Sequence, residues 1–154
     1  MLWGAHAEGK HKFFSWLLVQ EKLLNADKLQ ARKWQCNPIC TLCNQHLETA
    51  EHLCLHCPYT IQVWELVRTW SGDMIRVPTQ RSTIEDWWCD ALTQQQMKER
   101  RQVEAFLMYT AWNSWKETNR RVFVGKVAEP RFVLHLIKEE MQQRFRECGA
   151  PVAS

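Results

Sequence analysis

The chain has 154 residues, of which 45% are hydrophobic and 24% charged, the length and composition of one globular domain. No apolar stretch could cross a bilayer and the first ten residues lack the apolar segment of a secretory signal, so we expect an intracellular protein of the nucleus or cytoplasm, without a membrane. Seven cysteines, an odd number, fit a disulfide framework poorly; in a reducing compartment they favour metal binding.

The net charge of +3 is unevenly distributed along the chain. Residues 1–35 carry six Lys or Arg and three Asp or Glu, residues 36–96 carry three and seven, and residues 97–154 carry eleven and seven. Basic ends of this kind favour a nucleic-acid partner, but they are equally typical of solvated helix faces. Both interpretations remain open on charge alone.

The first apolar pattern, Lys10–Leu24, has helical spacing and predicts a helix with a wide buried face. A second helix is predicted over residues 26–34, after Asn25 as its N-cap. The two helices would form a hairpin that leads directly into a cysteine-rich segment. The residues expected inside the first helix are Phe13, Phe14, Trp16, Leu17, Leu18, Leu23 and Leu24.

The cysteine-rich segment, residues 36–57, holds five cysteines and three histidines. Cys40 and Cys43 form a C-x2-C pair, in which a tight turn directs two thiolates at one metal ion. Spacing leaves the fourth ligand open, because Cys57 can be joined either by Cys54 or by His52, and it slightly favours Cys54, which gives an all-cysteine site. Both sets close a tetrahedral shell, so we expect one structural Zn²⁺.

The remaining candidates in this segment fit a metal site less well. Cys36 would need a different turn, and His46 is expected to face solvent. His52 and His56 have the H-x3-H spacing of zinc proteases, but Leu53 stands where that motif has its catalytic glutamate. The pattern therefore speaks against a protease.

Further helices are predicted along the rest of the chain, with loops between them. Thr49 can cap a short helix over 50–56, Pro58 can begin one that continues over 59–70, and Ser82 or Thr83 can cap another. The loop is expected at 71–82, and the helices at 84–94, at 96–122 with an end at Gly125, and from Pro130 to 147. These elements predict an all-α domain with little or no strand.

Three positions late in the chain, two tryptophans and a histidine, bear on function. Trp112 and Trp115 could stack on bases, but aromatic residues at helical spacing are more often core, and we expect core here. His135 lies in an apolar stretch and is expected to be a packed histidine, not a ligand. The residues that form the apolar pattern of the last two predicted helices are Phe106, Tyr109, Trp112, Trp115, Val122, Phe132, Leu136, Met141 and Phe145.

Several motifs occur together over about residues 3–70. They are Lys10 to Trp16, the turn at Leu24–Leu29, the Cys40–Cys43 pair, Glu51–Leu53, Cys57 and Trp64. Together they resemble the zinc-binding domain that follows the reverse transcriptase of plant LINE-type (non-LTR) retrotransposons. A later stretch, 111–123, is similar to a W-x-x-W-x-x-R-N segment downstream in such elements, with Thr118 at the usual arginine.

The resemblance implies a ligand set and a division of the chain. The ligands would be Cys40, Cys43, His52 and Cys57, and Cys54 would be a core side chain. The division would be a hairpin and zinc-binding domain at 1–70, a loop and short helix at 71–95, a helical pair on the same core at 96–148, and a disordered tail at 149–154.

The resemblance also implies nucleic-acid handling without catalysis. No pair of polymerase aspartates and no nuclease-like acidic group is visible, and Met1 lies close to where the polymerase would end, so we expect a detached or domesticated tail without a small-molecule substrate. Because the cysteine-rich segment is acidic, RNA or DNA would be bound by the basic helices. The residues expected to do so are Lys10, Lys12, Arg100, Arg101, Arg120 and Arg121.

Two other functions remain open. One is an adaptor that binds a host protein partner through exposed aromatic residues, for which Trp3, Trp87 and Trp88 are the candidate anchors. The other is a translated relic of an inactive element, without a selected function.

Overall fold

The computed structural model contains five α-helices and two π-helical turns among the residues it describes. The helices are α1 (Gly9–Val19), α2 (Pro58–Trp70), α3 (Ile84–Thr93), α4 (Met97–Asn119) and α5 (Pro130–Cys148); the π-helical turns are His52–His56 and Arg120–Val124. The described residues are 9–20, 22–23, 31–33, 37–79, 83–93 and 95–148. They contain no strand, only an isolated antiparallel bridge between Ile39 and Leu47, so the predicted all-α class is confirmed. None of the described helices is long and apolar enough to cross a membrane.

Three predicted helix ends are confirmed by local hydrogen bonds or backbone geometry. The backbone N–H of His52 donates to Thr49 Oγ1 at 3.0 Å, and that of Asp86 donates to Thr83 Oγ1 at 3.1 Å. Gly125 ends the second π-helical turn with a φ of +73°, a left-handed conformation that glycine adopts without strain. Short-range signals in the sequence were therefore sufficient for these ends.

Helix α1 ends five residues before its predicted end. The backbone N–H of Lys22 donates to the carbonyl of Leu17 at 2.8 Å, which closes the helix with a wider turn. Leu23 is nevertheless buried, as predicted, because the chain beyond the helix packs it against the core. Leu24, most of the predicted helix over 26–34 and the tail at 149–154 lie outside the described residues.

Two aromatic residues of α1 were wrongly predicted to be buried. Phe13 is 55% exposed and Trp16 is 36% exposed. Helix α1 has more apolar residues than one face can hold. The face that it buries carries residues three and four positions apart, and Phe13 and Trp16 lie outside that face. The buried residues of α1 are His11, Phe14, Ser15 and Leu18.

Helix α4 is the centre of the fold, and the other helices pack around it. Its residues from Val103 to Ala111 are buried on every side. Trp112 and Trp115 are half-buried and lie against Phe14 of α1, with ring centroids 5.3 and 5.2 Å apart, so they pack on the core as predicted.

Helix α1 is also fixed by a buried polar contact between three helices. His11 is 1% exposed, and its Nε2 lies 3.3 Å from Glu140 Oε2 of α5. Asn113 of α4 donates to the same carboxylate oxygen at 3.2 Å. The imidazole is packed between the rings of Tyr109 and Trp112, so α1 has one defined position on α4 and α5.

Three predictions about side chains late in the chain are wrong, two of them in α5. His135 is 60% exposed and pairs with Glu139 at 3.1 Å, and Phe132 is 50% exposed. The buried residues of α5 follow four-residue steps, and His135 lies about 200° around the helix from Val133. Val122, expected inside α4, belongs to the second π-helical turn and is 55% exposed. The buried face of α5 consists of Val133, Ile137, Met141 and Phe145.

Candidate metal centre

Four side chains of the cysteine-rich segment form a group that fits one zinc ion. The ligand atoms of Cys40, Cys43, His52 and Cys57 all lie within 4.8 Å of one another. The Sγ atoms of Cys40 and Cys57 are 3.9 Å apart, and Cys43 Sγ is 3.4 Å from His52 Nε2. Tetrahedral Zn²⁺ with Zn–S bonds near 2.3 Å requires neighbouring sulfurs roughly 3.8 Å apart. The predicted structural zinc site is confirmed in its ligands and its tetrahedral-like shape.

The first two ligands are positioned by a tight hairpin, the zinc knuckle (residues 40–43). The N–H of Cys40 donates to the carbonyl of His46, and the N–H of Asn44 donates to the carbonyl of Cys40, both at 2.8 Å. Asn44 has a φ of +57°, a left-handed conformation that asparagine tolerates better than most residues. This turn places the thiols of Cys40 and Cys43 on the same side of the hairpin.

The last two ligands are positioned by the first π-helical turn, and this turn decides between His52 and Cys54. The N–H of Cys57 donates to the carbonyl of His52 at 2.7 Å, so residues five apart face the same side. Cys54 faces the opposite side, is 3% exposed in the core, and accepts a 2.7 Å hydrogen bond from the indole of Trp64 at its carbonyl. Cys54 is therefore a core residue, as the resemblance implied.

The protonation of the thiols agrees with this assignment. The hydrogen bond to Cys57, together with burial, raises the pKa of Cys40 to about 12, and the same hydrogen bond lowers the pKa of Cys57. The two thiols thus share a proton, which a divalent cation displaces when it binds both sulfurs. Burial alone raises the pKa of Cys54 to about 12, whereas the thiols of Cys40 and Cys57 act on each other.

The cysteine-rich segment contains two further candidate ligands, His46 and Cys36, of which the structure describes only His46. His46 is exposed, as predicted, although its ring centroid lies 5.2 Å from that of His52. Cys36 lies outside the described residues.

An arginine from the other end of the chain holds the zinc knuckle. Arg121 Nη1 donates to the carbonyls of Thr41 and Leu42, the two residues between the first pair of ligands, at 2.8 and 3.2 Å. Its Nε donates to Glu117 Oε2 at 2.9 Å. The side chain of Arg121 is only 11% exposed, so its donors bind groups inside the protein and not solvent.

Arg121 belongs to a buried polar group that we call the Glu117 cluster, formed by Tyr59, Glu117, Arg120, Arg121 and the backbone of Ala128. The carboxylate of Glu117 is fully buried, pairs with both arginines and accepts the N–H of Ala128 at 2.9 Å. The Tyr59 hydroxyl donates to the carbonyl of Ala128 at 2.7 Å, and the guanidinium of Arg121 lies 4.8 Å from the Tyr59 ring centroid. Burial, then Glu117, raises the pKa of Tyr59 to about 12.

Sequence reasoning missed this cluster, although one signal for it was present. Glu117 stands three and four residues before Arg120 and Arg121, the spacing of ion pairs on one helix face. No signal in the sequence indicated the contact of Arg121 with residues 41 and 42, which lie about 80 positions earlier.

The six cations expected to bind nucleic acid fall into two groups. Lys10 and Arg101 are exposed, while Lys12 and Arg100 are half-buried and both act on the carboxyl of Glu104. Arg120 and Arg121, in the second π-helical turn, lie some 20 residues after Arg100 and Arg101, roughly 30 Å away at 1.5 Å per residue. The structure therefore does not gather all six in one patch.

Comparison with known families agrees with the metal centre. Residues 1–64 match the family described as zinc-binding in reverse transcriptase, and the match includes all four ligands. No curated protein and no solved structure matches the chain. Residues 1–64 are thus similar to the zinc-binding domains of reverse transcriptases, and the narrower assignment to plant LINE-type elements stays a prediction.

Proposed function

We propose that this protein is a non-catalytic, retrotransposon-derived domain that is stabilised by zinc and binds RNA or DNA. One observation carries the proposal, namely the family match over a segment that holds a complete zinc-binding group. A reverse transcriptase copies nucleic acid, so a domain that accompanies it works beside nucleic acid.

The metal centre itself has a structural role in this proposal. Cys40, Cys43, His52 and Cys57 fill all four positions of a tetrahedral ion, which leaves none for water or substrate. The surrounding segment, residues 36–96, carries seven acidic and three basic residues and would repel phosphates. Nucleic acid is therefore expected to bind on helices outside this segment.

Helix α1 offers the features that single-stranded nucleic acid requires. Phe13 and Trp16 are exposed, and their rings are nearly parallel, with an interplanar angle of 16° and centroids 6.3 Å apart. Lys22 Nζ lies 5.0 Å from the Trp16 ring centroid, and Lys10 is exposed one turn before Phe13. Aromatic faces beside cations bind bases by stacking and phosphates by charge.

The beginning of α4 extends this basic surface. Arg101 is exposed there, and Lys12 of α1 and Arg100 of α4 both act electrostatically on the buried carboxyl of Glu104. Arg120 and Arg121 belong to the Glu117 cluster, and their donors are directed at Glu117 and the zinc knuckle. We therefore expect these two arginines to affect binding through folding and not through phosphate contacts.

The test is a titration of the zinc-loaded protein with fluorescein-labelled single-stranded RNA and duplex DNA at roughly 50 and 200 mM salt. The double variant Lys10→Ala, Arg101→Ala should bind more weakly and reduce the slope of log affinity against log salt by about 2. The control, Arg76→Ala with Arg146→Ala, removes two exposed cations elsewhere and should bind like the wild type. Absence of binding at low salt, or equal losses in both double variants, would refute the proposal.

The adaptor function loses two of the three anchors that the sequence suggested. Trp87 and Trp88 are 6% and 2% exposed and pack inside the protein, and Trp3 lies outside the described residues. A different exposed apolar surface supports a protein partner, and it is independent of nucleic-acid binding.

A further inference from the structure

An exposed apolar patch lies between the end of α4 and the first turn of α5. Of the nine large hydrophobic side chains that are exposed in the described part of the chain, five fall within the eleven residues 122–132. Such a concentration marks an interaction site more often than scattered exposed residues do. The patch consists of Val122 (55% exposed), Phe123 (81%), Val124 (62%), Val127 (73%) and Phe132 (50%).

The patch adjoins an open hollow of about 790 Å³ with a cationic rim. Val127 and Phe132 line the hollow together with Arg120, Lys126 and Arg131, whereas Glu129 is its single carboxylate. Within the described residues, no ion pair occupies Lys126 or Arg131. The rim thus offers positive charge beside apolar surface.

The backbone of the segment that carries the patch is fixed by hydrogen bonds to buried side chains. The backbone of Ala128 is bound at both ends, since its N–H donates to Glu117 and its carbonyl accepts the Tyr59 hydroxyl. Gly125 fixes the turn before it. A surface held in this way loses little conformational entropy when a partner binds.

We propose that the apolar patch and its cationic rim bind a segment of another protein in which apolar side chains alternate with Asp or Glu. Three of the five patch residues are valines, which have no aromatic face for a base and gain only from contact with apolar groups. A second copy of this chain would bring the same cationic rim against Lys126 and Arg131. Charge complementarity therefore favours an acidic, partly apolar peptide.

The test uses a fluorescein-labelled synthetic peptide in which Leu and Phe alternate with Glu, and a matched peptide with Lys in place of Glu. The zinc-loaded full chain should bind the acidic peptide at least about tenfold more tightly than the basic one. Replacing Phe123 and Val127 by Ser should weaken binding by about tenfold or more. The charge reversal Lys126→Glu, Arg131→Glu should reverse the preference between the two peptides.

A matched control and two competing outcomes make the test decisive. Leu47→Ser with Met97→Ser changes equally exposed apolar residues outside the patch, and this variant should bind the acidic peptide like the wild type. Equal binding of both peptides, or none, would overturn the inference. Displacement of the peptide by single-stranded RNA would assign the patch to nucleic acid, and a dimer abolished by Phe123→Ser would assign it to a second copy; either result would also overturn it.

Discussion

His52 and Cys54 are two residues apart, yet their side chains occupy opposite environments. His52 reaches the metal site, whereas Cys54 is buried beside Trp64 with a neutral thiol. The π-helical hydrogen bond from Cys57 to His52 produces this difference, because it aligns residues five apart in place of four. A local irregularity of the backbone therefore selects the fourth ligand.

Single substitutions should separate ligands from the core cysteine. We expect Cys54→Ser and Cys54→Ala to retain one zinc per chain, whereas Cys57→Ser and His52→Ala should lose most of it, because each removes one of four ligands. Metal content of the purified proteins by mass spectrometry gives the answer. Loss of zinc from both Cys54 variants, with zinc retained in His52→Ala, would show that the ligand set is wrong.

The carboxyl of Glu104, which is not a metal ligand, should make the stability of the protein depend on pH. It is 1% exposed, and burial raises its pKa from 4.5 to about 7, against the opposing effect of Arg100 and Lys12. The unfolded chain ionises first as pH rises, so this group lowers stability progressively between about pH 4.5 and 7. The loss amounts to about 3 kcal/mol at most, at 1.4 kcal/mol per pH unit.

The variant Glu104→Gln removes this titration and keeps the shape of the side chain. Its stability relative to the wild type should therefore rise by up to about 3 kcal/mol between pH 5 and pH 8. Urea unfolding of both zinc-loaded proteins at the two pH values measures this difference, in which the titration of the metal ligands cancels. A difference that is constant with pH would contradict the raised pKa of Glu104.

At the scale of elements, the Glu117 cluster connects the end of α4 to the zinc knuckle. Arg121 supplies the hydrogen bonds to the knuckle carbonyls, and Glu117 compensates its charge in the interior. Groups that do not touch the metal but orient its ligands commonly change metal affinity by 10- to 100-fold. The position of the knuckle thus depends on a helix far away in the sequence.

Arg121→Ala should weaken both folding and zinc binding. It leaves the buried carboxylate of Glu117 with one cationic partner fewer, which should destabilise the fold by about 3–5 kcal/mol, and zinc affinity should fall by about tenfold. Denaturant unfolding and competition with a chelating dye measure the two effects.

Arg68→Ala is a suitable control, because Arg68 pairs with Glu65 and Asp73 on the surface, where ion pairs contribute little to stability. The double variant Glu117→Gln, Arg121→Ala should be less destabilised than the two single effects together, since both residues belong to one network. If Arg121→Ala and Arg68→Ala had equal effects on zinc affinity, the Glu117 cluster would have no role at the knuckle.

The elements also show what the sequence could predict. The ends at Thr49, Thr83 and Gly125 are set by nearby atoms and were predicted from residue type. Spacing alone could not choose which face of α1 or α5 is buried, because both helices have more apolar residues than one face holds, and Phe13 and His135 were misplaced for that reason. Contacts between distant segments decide such cases.

At the scale of the whole molecule, the zinc-binding segment and the helices share one hydrophobic core. Leu53 and Leu55 of the first π-helical turn are 3% and 0% exposed and belong to the same buried cluster as Trp64 and Phe106. The boundaries predicted at residues 70 and 95 stay predictions. A core of this size does not depend on metal for its existence, unlike that of a small zinc finger.

Removal of zinc should therefore loosen one region and leave most of the helices folded. Chelation removes the ion that joins the thiols of Cys40 and Cys57, and Arg121 then supplies the long-range side-chain hydrogen bonds to the hairpin at 37–47. We expect far-UV circular dichroism to retain most of its helical signal, while amide hydrogen exchange accelerates over residues 38–57 and remains slow in the centre of α4. Re-addition of zinc should restore the protection. Complete loss of the helical signal on chelation would instead make the metal a condition of folding for the whole chain.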